Sequence, residues 1–120
     1  MKINTVLETI EMNFKGKAFN HNTDECVYKT DEGKKCFIGL FIPDGHVAEK
    51  FKGSVKGLLY TYPTLKKYMP SNDKNKLSNL QRVHDASYYN LYYNDIENFN
   101  TLEEQKMYLM INAMDILGEN

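Results

Sequence analysis

Cys26 and Cys36, the adjacent pair His84-Asp85, and Asp44 within Ile42-Pro43-Asp44-Gly45 are the reactive side chains whose types and spacing suggest chemistry. A thiol becomes a useful nucleophile when an imidazole takes its proton, a third group orients the ring and N–H donors receive the oxyanion. In that scheme Cys36 attacks, His84 is its base, Asp44 or Asp85 orients the ring, and Gly39 leaves backbone N–H groups open. Lys-Cys-Phe-Ile-Gly around Cys36 matches none of the common thiol-enzyme signatures. A free cysteine is by default a small buried hydrophobe.

The same side chains bear on metal binding. Zinc takes four tetrahedral ligands, often two from a β-ribbon and two from a helix. Cys26, Cys36 and His84 would supply three, with His46 or His21 as the fourth. The spacing Cys-x9-Cys is wider than a zinc knuckle, and neighbours on a helix diverge by about 100°, so His84 and Asp85 do not converge on one ion. The expectation is therefore no cofactor, with zinc on Cys26, Cys36 and His84 as the alternative. His84 itself lies four residues after Leu80 on an apolar stripe, which reads first as a core histidine bonded to the backbone. Pro43-Asp44-Gly45 reads first as a turn.

A third chemistry is recognition by aromatic side chains. Tyr88, Tyr89, Tyr92, Tyr93 and Phe99 crowd one Asn-rich stretch, and Tyr28 precedes the central turn. Tyrosines of this kind stack on bases or anchor protein interfaces. A single-strand binder also needs a basic groove, yet Lys106 is the sole basic residue between Ala86 and Met107. A protein partner or a second copy of the chain is favoured over a nucleic acid.

These residues must be positioned by local elements. Thr5 and Glu8 form a capping box before Val6, Ile10 and Phe14, which predicts a helix from about Thr5 to Lys15, stopped by Gly16. Glu-Cys-Val-Tyr-Lys-Thr and Lys-Lys-Cys-Phe-Ile-Gly flank Asp31-Glu32-Gly33, predicting a β-hairpin over about residues 26–38 with both sulfurs on one face. Periodicity leaves open whether Phe37–Ile42 extends that strand or becomes a short helix. Short helical segments follow at Ser54–Tyr62 and Thr64–Met69. A longer helix, capped by Ser71 or Asp73, is expected to run to about Tyr88 with Leu77, Leu80, Val83, His84 and Ser87 on its buried face. Thr101 with Glu104 opens a last helix to Leu117, its apolar side formed by Leu102, Leu109, Met110, Ala113, Ile116 and Leu117 and widened by Met107 and Met114. The expected class is α+β, a mainly helical single domain over residues 1–120 with one hairpin.

Three segments carry a resemblance: Cys26-Val-Tyr28-Lys29, Gly33-Lys-Lys35-Cys36-Phe-Ile-Gly39-Leu-Phe-Ile42-Pro43-Asp44, and Leu80-Gln81-Arg-Val-His84-Asp85. Together they resemble a family of small uncharacterised phage and bacterial proteins with Cys-x-Tyr-Arg, Lys-Cys-x-x-Gly-x-x-Ile-Pro-Asp and Leu-Gln-x-x-His-Asp motifs. The resemblance lies mainly in Cys26–Gly53 and Leu77–Asp85, and Lys29 stands where the family has Arg. It implies that the hairpin and the His-Asp helix belong to one shared unit.

Composition bounds the function classes. Fifteen basic side chains against sixteen acidic ones leave a formal charge of -1, which gives no electrostatic case for nucleic acid or an anionic membrane. No apolar run approaches the roughly 20 residues of a membrane span, and Met1–Lys15 lacks the unbroken apolar stretch of a secretory signal. Two cysteines are too few for a disulfide scaffold. The P-loop, dinucleotide, zinc-protease and EF-hand patterns are all missing from the sequence. The expectation is a small cytoplasmic accessory protein, in the host cytoplasm if phage-encoded, that acts by protein–protein interaction. The alternative is a thiol-dependent hydrolase or transferase, or a metal module, using Cys36 and His84.

Overall fold

The computed structural model describes residues 1–20, 25–85, 87–89, 97–99 and 101–118; for Phe19, Asn20, Glu25, Cys26, Ser87, Tyr88, Tyr89, Glu97 and Asn98 it describes the backbone alone. Apolar residues four apart define the first helix, α1 (Ile3–Asn13), which buries Val6 and Ile10 and hands over to buried Phe14. It begins before the expected capping box. Lys2 holds the N-cap position, and its carbonyl accepts the Thr5 and Val6 N–H groups. Ile3 packs against the core, so one more apolar contact carries the helix past Thr5.

The other helices start at side-chain caps. Ser54 Oγ accepts the Gly57 N–H at 3.0 Å and opens α2 (Val55–Thr61), which gives way at Pro63 to a 3-10 segment, Pro63–Tyr68. Asp73 Oδ1 accepts the N–H groups of Asn75 at 2.8 Å and Lys76 at 3.3 Å, opening α3 (Lys74–Asp85). Thr101 Oγ1 accepts the Glu104 N–H at 3.1 Å and opens α4 (Leu102–Leu117), which Gly118 closes at φ +73°. Helix α3 ends at Asp85, short of Tyr88. Ser87–Tyr89 is instead a strand lying parallel to Glu97–Phe99.

The α+β expectation with a hairpin over residues 26–38 does not hold; the chain is mainly helical. Glu25–Cys26 pairs with Phe19–Asn20 over two residues only. Around the Gly33 turn the chain folds back through the single bridge Lys29–Lys35, with Thr30 N–H donating to the Lys34 carbonyl and Cys36 N–H to that of Tyr28. Pairing stops there because Phe37, Ile38, Leu40, Phe41 and Ile42 are all buried. A strand puts alternate residues on opposite faces and cannot bury such a run from one side. Instead Ile38–Phe41 coils into a 3-10 turn inside the core.

That core is contiguous. Val6, Ile10 and Phe14 meet Phe37–Ile42, Leu58, Leu59 and Leu65, Leu77 and Leu80, and Leu109, Ala113 and Leu117. Helices α1 and α3 both pack on α4, and α2 packs on α3. Among the described residues no helix is long and apolar enough to cross a membrane.

Candidate functional site

Of the residues singled out in the sequence, His84 and Asp85 meet in one polar node set into this core, and Cys36 and Tyr28 are buried nearby, within reach of the Asp85 charge. His84 sits on the apolar stripe of α3 and is wholly buried, its ring edge-on to Phe14. Nε2 accepts the Ala18 N–H at 3.3 Å, and Nδ1 lies 2.9 Å from Asp85 Oδ1. An acceptor at Nε2 and a carboxylate at Nδ1 define the neutral tautomer protonated at Nδ1. Burial pushes the imidazole below its ordinary pKa of 6.5; Asp85 opposes that shift, and Lys17 adds to it. Gln81 completes the node, its Nε2 donating to Asp85 Oδ1 at 2.8 Å and its Oε1 accepting the Ile38 N–H at 3.1 Å. The buried Lys17 ammonium donates to the Asp85 carbonyl at the end of α3, where an orphaned carbonyl and the helix dipole favour a cation.

Cys36 is also wholly buried. Its sulfur accepts the Gly39 N–H at 3.2 Å, and burial drives the thiol far above its ordinary pKa. The Gly39, Gln81 and Ile38 hydrogen bonds favour the thiolate but do not offset burial, and the Asp85 charge adds to the upward shift. The Tyr28 phenol donates to the Gly53 carbonyl at 2.9 Å and is likewise held protonated, mainly by burial. A nucleophilic thiol needs thiolate and access. Cys36 is deprived of both, and the imidazole nitrogens are engaged in holding Ala18 and Asp85.

This arrangement predicts a direct chemical result. In a Cys26→Ser variant, Cys36 should react with a disulfide reagent at pH 8 at least roughly 100-fold more slowly when folded than in urea, since a buried thiol is inert. Native labelling at the denatured rate would mean that the thiol is open to solvent.

Asp44 lies elsewhere. Its exposed carboxylate pairs with Lys35, which holds its pKa below the ordinary range, so the carboxylate on the imidazole is that of Asp85. Behind Asp44, buried Glu49 faces Lys29 at 3.4 Å and Lys35 at 4.0 Å and accepts the Gly45 N–H at 3.2 Å. His46 Nδ1 accepts the Ala48 N–H at 3.0 Å as a local cap. The Cys26 sulfur, His21, the rings of Tyr88 and Tyr89, and Tyr92 and Tyr93 lie outside the described residues, as does the expected relation of the two sulfurs. Among the described residues no group of three His, Cys, Asp or Glu side chains is placed to hold a metal ion.

The outward side of α4 shows what sequence reasoning missed. Met107 is 61% exposed, Ile111 54% and Met114 45%, whereas Met107 and Met114 were expected to widen the buried side. The buried side is filled by Gln105, Lys106, Leu109, Ala113 and Leu117. The Lys106 ammonium reaches the Glu11 carbonyl in the last turn of α1 at 2.9 Å. Phe99 packs on Tyr108 at 5.0 Å, and together with Glu103, Glu104, Met107 and Ile111 they line an open depression of about 390 Å³. The signal available in the sequence was a second i, i+4, i+7 series at 107, 111 and 114. No family model, curated protein or solved structure matches the chain.

Proposed function

We propose that this chain is a small accessory protein that acts by docking a partner protein on the outer face of α4, with no chemistry of its own. The observation that carries this reading is the exposed stripe Met107, Ile111 and Met114 beside the Phe99–Tyr108 depression. Contiguous apolar surface of this kind marks interaction sites, and flexible methionines suit a surface that must repack around a partner. The buried node supports the same reading from the other side. Its thiol and imidazole tie the α1 exit, the Ile38–Phe41 turn and α3 together, which makes them framework. The resemblance to phage and bacterial proteins and the sparse cysteines support a reducing cytoplasm as its setting, that of the host if phage-encoded.

Photo-crosslinking tests this reading. A benzophenone side chain at Met107 or Met114 should capture one protein species in the producing cell, and Ile111→Asp in the same chain should abolish the capture. The same probe at Tyr60, exposed on α2, should capture nothing discrete. Crosslinking indifferent to probe position, or unaffected by Ile111→Asp, would remove the docking reading.

A further inference from the structure

We infer that the occupant of the α4 face is an amphipathic helix whose apolar stripe is bordered by lysine or arginine. This rests on the docking reading and adds the charge of the partner. Helix α4 carries Glu103, Glu104 and Asp115 on its exposed positions. At about 100° per residue, Glu103, Glu104, Met107, Ile111, Met114 and Asp115 fall within one strip of roughly a third of the helix circumference. The strip is therefore apolar in its middle turns and acidic at both ends. Lys106, the one cation on this helix, is buried; its ammonium is on the Glu11 carbonyl and 3.6 Å from Glu103, which it partly neutralises, leaving Glu104 and Asp115 as the main carboxylates of the strip.

Charge complementarity then selects the occupant. An amphipathic helix lays apolar residues at i, i+3, i+4 and i+7 into such a face, and basic residues on its borders meet the carboxylates. A second copy of this chain is the poorer fit. Antiparallel pairing of two α4 faces brings Glu103 and Glu104 of one copy toward Asp115 of the other, and parallel pairing sets glutamate against glutamate. Like charges are opposed in both orientations.

The test uses two synthetic peptides of about 14 residues, one built of leucine and lysine and the other of leucine and glutamate in the same amphipathic pattern. Binding to the full chain is followed by fluorescence anisotropy at about 150 mM salt, where surface charges act over about 8 Å. The leucine–lysine peptide should bind at least about 10-fold more tightly than its counterpart. The combined variant Glu103→Gln, Glu104→Gln, Asp115→Lys should erase that preference. Ile111→Ser should weaken both peptides about 10-fold or more, with circular dichroism and melting unchanged. Equal affinity for the two peptides, both still weakened by Ile111→Ser, would overturn the basic partner while leaving docking on α4 intact. Binding of both peptides insensitive to Ile111→Ser would overturn the docking reading itself. Sedimentation showing a peptide-free dimer that Ile111→Ser dissociates would replace the basic helix by a second copy.

Discussion

Gly39→Ala is expected to unfold most of the protein at temperatures where the wild type is native. A Cβ on Gly39 would stand 2.1 Å from the Tyr28 carbonyl oxygen, 3.1 Å from its carbon and 3.3 Å from Cys36 Sγ. The first two atoms are backbone and have nowhere to go. The Tyr28 carbonyl accepts the Cys36 N–H at 3.1 Å, while the Tyr28 ring is anchored by its hydroxyl on the Gly53 carbonyl. Relief requires the Ile38–Phe41 turn to lift out of the core, exposing Phe37, Ile38 and Ile42 in part. Overpacking typically costs about 1–3 kcal/mol, and a clash with backbone that cannot move belongs at or above the top of that range. Gly45→Ala is the matched control. Its φ of +82° makes any side chain strained, but a Cβ there meets nothing within 4 Å, so the cost should stay near 1 kcal/mol. Urea midpoints of the two variants settle the comparison. If Gly39→Ala is no less stable than Gly45→Ala, the turn is not pinned against Tyr28 as described.

His84→Ala should cost about 3–5 kcal/mol, an effect of comparable size. Part is the cavity left among Phe14, Leu80 and their neighbours. Part is the Ala18 N–H, buried and deprived of its Nε2 acceptor, at about 1–3 kcal/mol. The pH dependence separates the imidazole from simple packing. Folding lowers the His84 pKa below 6.5, so between the two values the unfolded chain holds a proton that the folded chain does not. Stability is then fully present above pH 6.5 and falls as pH drops through 6.5 toward the folded pKa, by up to about 1.4 kcal/mol per unit. Protonation at Nε2 would set that N–H against the Ala18 N–H, which is the local reason the folded site resists it. The wild type should therefore melt lower at pH 5.5 than at pH 7.5. His84→Gln should flatten that slope. A slope unchanged in His84→Gln would assign the proton to another group.

The thiol and imidazole show that residue type and spacing do not by themselves determine access to solvent. Cys, His and Asp at 36, 84 and 85 are the ingredients of a nucleophilic site, and the fold does bring them near one another. It brings them inside, where Gly39, Ala18 and Gln81 consume their hydrogen-bonding capacity. Sequence spacing reports proximity along an element. Access to solvent depends on which other segments cover that element, and here Phe14, Ala18 and the Phe37–Ile42 run arrive from distant positions.

Much of the helical framework is legible residue by residue. Ser54, Asp73 and Thr101 each satisfy N–H groups two or three residues away, so these starts are local events that no distant contact needs to approve. The Gly33 turn is local in the same sense, with φ +88° at the residue that tolerates it. Where burial competes with local preference, tertiary packing decides. Ile3 draws α1 past Thr5, and the uninterrupted apolar run Phe37–Ile42 abandons strand pairing to coil into the core. The two apolar series on α4 are equivalent on a helical wheel. Only the approach of α1 and α3 to one side selects Leu109, Ala113 and Leu117 for the interior and leaves Met107, Ile111 and Met114 outside. Caps and turns are written within a few residues, whereas the choice of buried face belongs to whichever neighbours the whole chain can supply.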